Sequence, residues 1–201
     1  MANLKICDLK FSYNGLPVFK NLSFTLRKDK TLSIIGLSGS GKTTLLKILN
    51  GELEYDGEII INGNIIKNKK YSDLRKDIAV VYNDLIFLND TVKEELKYSL
   101  ENLNIDPMEI KERIKELNDF FEINKIINKP IDNLSKKEKV LIKILSYAIT
   151  CPSYIAIDDL LCCLDIRTKI LLLNYLNSKN ILLINITSEL EEIIMKKTNK
   201  F

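Results

Sequence analysis

The chain has 201 residues, 46% hydrophobic and 28% charged, with 30 basic against 27 acidic side chains and a net charge of +3. That length holds one well-buried domain with a small insertion, and that balance gives no general case for a nucleic-acid partner; the basic clusters at 67–70, 136–139 and 196–197 read as solvated surface. No run approaches the ~18 apolar residues of a membrane span and residues 1–5 lack the core of a signal peptide, so a membrane role is expected to be that of a peripheral subunit.

Residues 4–10 read as a strand, and 18–27, apolar and polar by turns, as a second. A short apolar run at 31–35 ends in a glycine-rich loop. Residues 43–50 then show helical spacing at Leu45, Leu46, Ile48 and Leu49 and stop at Gly51. A strand at 57–62 leads into an Asn62-Gly63 turn, and 78–82 is a further strand. Residues 91–128 are charged, periodic and helical, broken at Asp106-Pro107, with Thr91 as N-cap and Glu94 completing a capping box. A helix at 135–150, a buried strand at 154–158, a helix at 166–177, a strand at 181–186 and a closing helix at 189–197 follow. Strands alternating with helices imply α/β layering around a largely parallel core sheet.

The four cysteines, at 7, 151, 162 and 163, form no Cys-x-x-Cys pair, and the chain has no histidine. The thiols read as buried small apolar residues of a reducing cytosol, with adjacent Cys162 and Cys163 poorly placed to bridge each other.

The pattern Gly-x-x-x-x-Gly-Lys-Thr fits 36–43 without mismatch, between a strand and a helix. Gly36, Gly39 and Gly41 let successive N–H groups turn toward phosphates, and the helix from Lys42 adds its positive end. Lys42 is expected to reach the β and γ phosphates of ATP, and the Thr43 hydroxyl to ligate Mg2+. Ser38, Ser40 and Thr44 complete the phosphate-binding set. The second magnesium ligand is expected at the end of a neighbouring strand, where 154–158 closes on Asp158. Asp159 follows, facing the attacking water.

From these residues the chain resembles the ATP-binding subunit of an ABC transporter, over essentially its whole length. Phe11-Ser12-Tyr13 matches the loop whose aromatic stacks on adenine, with Tyr13 in that role. Asn83 falls at the Q-loop glutamine, residues 133–138 at the Leu-Ser-Gly-Gly-Gln signature with Ser135 retained, 162–165 at the D-loop, and Ser188 at the switch histidine. The segment from Thr91 through Arg113 is most similar to energy-coupling factor ATPases, which drive uptake of vitamins and metal ions. Those usually carry a further C-terminal segment, which this sequence is expected to lack. The resemblance implies one ABC cassette over 1–201, with a mixed core sheet, an N-terminal antiparallel β subdomain and a helical insertion at 91–150 that includes the signature helix. It implies ATP and Mg2+ as ligands, with Asn83 beside the metal and among the catalytic residues. It implies two partners, a transmembrane transporter subunit and a second cassette, and a place on the cytoplasmic face of the cell membrane.

Four departures stand against this pattern: Asn83 for glutamine, Lys136-Lys137 for the signature glycines, Asp159 for the catalytic glutamate and Ser188 for histidine. Shortening the catalytic carboxylate by about 1 Å is a displacement that can cost roughly 100-fold in rate. The expectation is an ATP-binding subunit that hydrolyses slowly, or only with a partner. The alternative function is a soluble, non-transport ABC protein acting as an ATP-dependent switch, which would not co-purify with a membrane subunit. An unrelated P-loop kinase leaves Tyr13 and the signature and D-loop positions unexplained.

Overall fold

The computed structural model describes residues 3–27, 31–67, 74 and 76–188. The closing helix expected at 189–197 and most of two basic clusters lie outside them.

Strands β1 (Asn3–Tyr13) and β2 (Leu16–Arg27) form an antiparallel hairpin that turns through Asn14 and Gly15, both at positive φ. Strand β3 (Leu32–Ile35) leads into the glycine-rich loop and helix α1 (Lys42–Leu49). Strand β4 (Asp56–Ile61) then pairs antiparallel with the other edge of β1, and the Asn62-Gly63 turn returns the chain as β5 (Asn64–Ile65). Both turn residues have positive φ, 53° and 83°, which is why asparagine and glycine stand there. Opposite an irregularity in β1, Gly57 has φ +99°, and a Cβ on it would lie 2.5 Å from the Asp8 carbonyl oxygen. The first sheet thus runs β2-β1-β4-β5.

Strands β6 (Ile78–Val81), β7 (Tyr154–Asp158) and β8 (Leu182–Thr187) join β3 in a second sheet, ordered β3-β8-β7-β6 and parallel throughout. The mixture of pairings expected from the sequence is realised as two sheets. The parallel register aligns Ile35 with Thr187 and Asp158 with Ile186. Consequently the loop after β3, the acidic pair after β7 and Ser188 after β8 all leave from one edge, where α/β folds bind ligands.

Strands β6, β7 and β8 are buried on both faces, and the edge strand β3 is half-buried. Ile78, Val80, Tyr154, Ala156, Ile184 and Ile186 face a core shared with α1 and the antiparallel sheet. Ala79, Val81, Ile155, Ile157 and Leu183 face a second core shared with the helices. Those helices are α2 (Val92–Glu101), α3 (Pro107–Phe121), α4 (Lys136–Ala148) and α5 (Ile166–Ser178). The Thr91–Glu94 capping box forms as expected. Asp106 caps α3 through the Met108 amide, with Pro107 at the first position, where its missing N–H costs nothing. Phe120 and Phe121 meet the buried Tyr175 edge-on.

One feature of this helical layer has no local signal. Lys143, on the buried side of α4, donates to Glu95 of α2 over 2.8 Å, and Glu95 is only 3% exposed. Glu95 also accepts from the Leu88 amide and the Asn89 side chain, and the Lys143 ammonium lies over the rings of Phe87 and Tyr147. Burial alone would raise the Glu95 pKa; these donors and the Lys143 charge hold it below its ordinary value. The cluster ties the loop after β6 to two helices. In that loop Leu85 and Phe87 pack on the core, whereas Ile86 and Leu88 are exposed.

The cysteines differ from expectation. Cys151 and Cys162 are exposed, Cys7 and Cys163 half-buried, and the sulfurs of Cys162 and Cys163 are 4.0 Å apart. Cys151 is exposed because it terminates a helix at φ +56°, and Cys162 because it occupies a surface turn.

Candidate nucleotide-binding site

An open cleft of about 530 Å³ lies along the shared edge of the parallel sheet, between the glycine-rich loop and the ends of β7 and β8. It is lined by Tyr13, Val18, Ser38, Gly39, Gly41, Lys42, Thr43, Thr44, Asn83, Asp158, Asp159 and Ser188. All of these but Val18 are expected site residues, and the fold gathers them from five segments: Tyr13, 38–44, Asn83, 158–159 and Ser188.

The loop is shaped for phosphate. Gly41 caps α1 at φ +93°, and a Cβ there would stand 2.7 Å from Val18 Cγ1 and 3.1 Å from the Phe19 ring. Only glycine lets the loop settle against β2. The first intrahelical bond runs from the Leu45 amide to Gly41 O, so the amides of residues 42–44 open into the cleft with no carboxylate in the first turn. The Lys42 ammonium folds back, donating to the carbonyls of Gly36 and Leu37 at 2.5 and 2.9 Å. A phosphate arriving at the loop is a stronger acceptor than either carbonyl. Gly36 and Ser40 shape the loop from behind rather than lining the cleft; a Cβ on Gly36 would meet Ser40 Oγ at 2.5 Å.

The metal position fits its expected occupant. The Thr43 hydroxyl donates to Asp158 Oδ2 over 3.3 Å, so both oxygens face one point in the cleft. Asp158 is 7% exposed; burial pushes its pKa up, Thr43 and Lys42 oppose this, and the neighbouring Asp159 charge adds to it. A buried carboxylate held against its preference gains from a cation. Among the described residues no group of three or more histidine, cysteine or acidic side chains gathers.

Asp159 behaves differently from its neighbour. It sits at φ +54°, and its carboxylate accepts from the Ser188 hydroxyl at 2.8 Å, the Thr187 hydroxyl at 3.1 Å and the Ser188 amide at 3.3 Å. Burial would raise its pKa; these three donors and Lys42 bring it below the ordinary value. The ends of β7 and β8 are thus bonded to each other through these side chains. Thr187 belongs to the segment that resembles the switch, but no role at the site was expected of it. Val18, which also lines the cleft, has no signal in the sequence.

Tyr13 stands at the end of β1, 42% exposed, its ring nearly perpendicular to that of Phe11 with centroids 4.8 Å apart. Asn83 lines the cleft across from the loop. Ser135 does not line it: it caps α4, its hydroxyl and amide both donating to Glu138. Beside it Lys137 forms an ion pair with Asp165, the residue that caps α5. That contact holds the Asp165 carboxyl well below the usual range, helped by the Thr168 amide.

A family model described as "ABC transporter" matches residues 19–161. The chain is 31% identical over 192 residues to an energy-coupling factor transporter ATP-binding protein of Aster yellows witches'-broom phytoplasma, covering 94% of this chain and 71% of that one. It is 30% identical to a similarly named protein of Mesomycoplasma hyopneumoniae, covering 96% and 74%. Among solved structures, the fold matches cbiO1 of Clostridium perfringens, described as part of the ABC transporter complex cbiONQ, with TM-score 0.83 at 23% identity over 92% of this chain and 78% of that one.

Proposed function

Because the chain belongs to the ABC transporter family of ATP-binding proteins, we propose that it is the Mg-ATP-binding subunit of an energy-coupling-factor-type membrane transporter. In this reading residues 1–201 form a single cassette, with 91–150 as its helical part. The observation that carries it is the meeting of Thr43 and Asp158, at 3.3 Å, in a cleft that Lys42 and Tyr13 also line.

The residues divide the work. Tyr13 stacks on the base. Gly39, Gly41, Ser38, Thr44 and the amides of 42–44 hold the phosphates, with Lys42 turning from the loop carbonyls onto the β and γ groups. Thr43 and Asp158 hold Mg2+, with Asn83 beside it. The ion supplies charge neutralisation across the phosphates. Asp159 is the general base, and its three donors from residues 187 and 188 hold it toward β8, so hydrolysis by the chain alone is slow. Ser135 and the Lys136-Lys137 pair face outward to a second cassette, whose nucleotide they meet. The exposed Ile86 and Leu88 form the surface that meets the transmembrane subunit. No described helix is long and apolar enough to cross a membrane. In this reading the subunit is peripheral, held on the cytoplasmic face by its transmembrane partner.

The test is isolation of the native complex from detergent-solubilised membranes. The proposal expects a transmembrane subunit and a second cassette to co-purify, and ATP turnover to rise in their presence. A chain recovered wholly from the soluble fraction, with turnover unaffected by membrane components, contradicts it.

A further inference from the structure

Cys162 and Cys163 lie in the 3-10 turn Leu161–Cys163, three and four residues beyond Asp159. Within this turn their Sγ atoms come to 4.0 Å of each other. Cys162 is exposed, Cys163 is half-buried against the helical core, and the Cys162 thiol donates to the Asp159 carbonyl oxygen over 3.1 Å.

A disulfide is the wrong use for this pair. Neighbouring Cα atoms are about 3.8 Å apart, below the ~4.4 Å at which ordinary disulfides begin. A metal ion needs no such approach. With metal–sulfur bonds of about 2.3 Å, sulfurs 4.0 Å apart subtend about 120° at the ion. That is the angle of a three-coordinate centre with two protein thiolates and one external ligand. Thiolate pairs select soft ions, and Cu(I) is the softest of the common ones. A tetrahedral Zn2+ site needs three or four protein ligands. The chain has no histidine, and the described residues offer no third ligand beside the pair.

We propose that Cys162 and Cys163 bind one soft, thiophilic metal ion of the Cu(I) class as a pair of thiolates. Binding involves no electron transfer: the ion adds to both sulfurs and the two thiol protons pass to solvent. Cys162 then has no proton to donate to Asp159 O. Occupancy therefore removes a donor from the backbone carbonyl of the residue whose carboxylate lines the nucleotide cleft.

The experiment is an anaerobic Cu(I) titration of the whole chain against a chromophoric Cu(I) chelator, without nucleotide. The expected result is one ion per chain with a thiolate-to-copper absorption band. Affinity should fall at least tenfold in Cys162→Ser and in Cys163→Ser, and stay unchanged in Cys151→Ser. Zn2+ in the same titration should bind at least tenfold more weakly. Wild-type affinity in Cys162→Ser, loss of affinity in Cys151→Ser, or one ion shared between two chains overturns the proposal. None of these outcomes depends on ATP, so the nucleotide reading stands or falls separately.

Discussion

The Ser188 hydroxyl donates to Asp159 Oδ2 over 2.8 Å. On the proposed function these are the catalytic-carboxylate and switch positions, and their side chains bond to each other. A shorter carboxylate at 159 meets a short hydroxyl at 188. The Thr187 hydroxyl and the Ser188 amide complete the grip. A carboxylate with three donors is more stable as the anion and therefore a weaker base.

Removing the Ser188 hydroxyl should therefore raise the Asp159 pKa. Since the carboxyl sits below its ordinary value in the native chain, the acidic limb of the ATPase pH profile should lie at lower pH in the native chain and move up in Ser188→Ala. ATP affinity should be unchanged. A pH–rate series on the assembled complex checks this, and an unmoved acidic limb with a Ser188→Ala enzyme of native activity counts against it.

Asp158 carries the opposite sign. Its folded-state pKa is raised, so the ionised form costs stability at neutral pH and the cost disappears on acidification. Asp158→Asn should raise the melting temperature of the ligand-free chain at pH 7 and abolish the stabilisation that Mg-ATP gives the native chain. Thermal melts with and without Mg-ATP measure both.

The Glu95–Lys143 pair should behave as a buried one. Removing one partner, as in Lys143→Met, should destabilise by about 3–5 kcal/mol, and replacing both by apolar residues should recover most of that loss. The folded-state pKa of Glu95 is depressed, so its contribution is present above the unfolded value and is lost as pH falls through the folded one. Urea unfolding from neutral to acid pH should show this loss in the native chain and not in the doubly apolar variant.

The two loop glycines give a contrast. Gly39→Ala meets nothing within 4 Å and carries only the strain of φ +81°, about 1–3 kcal/mol. Gly41→Ala adds a clash with Val18 and Phe19 to a φ of +93°, and should lose more stability together with ATP binding. Melting temperatures of the two variants decide it.

Much of this was legible in the sequence wherever the signal is local. The Thr91–Glu94 box, the break at Asp106-Pro107, the Asn62-Gly63 turn and the strand ending on Asp158 are all set within a few residues, and all formed. What was not legible depends on register between distant segments. Nothing near Lys143 in sequence marks it as buried, because its partner Glu95 lies 48 residues away. The Asp159–Ser188 bond exists because β7 and β8 run in parallel with Asp158 opposite Ile186. Lys137, which stands where the family pattern has a glycine, pairs with Asp165 because α4 and α5 begin side by side. The cysteines were misjudged because burial follows the shape of a turn, not residue type alone.

The central claim is that the cleft binds Mg-ATP while Asp159 is held from rapid catalysis. The most direct measurement is Mg-ATP titration of the isolated chain alongside its steady-state turnover. Saturable binding that is lost in Lys42→Ala, with turnover on the order of 0.1 per second or less against the 1–1000 per second of typical enzymes, is the expected result. Turnover of several per second by the isolated chain, or no saturable binding, would contradict it.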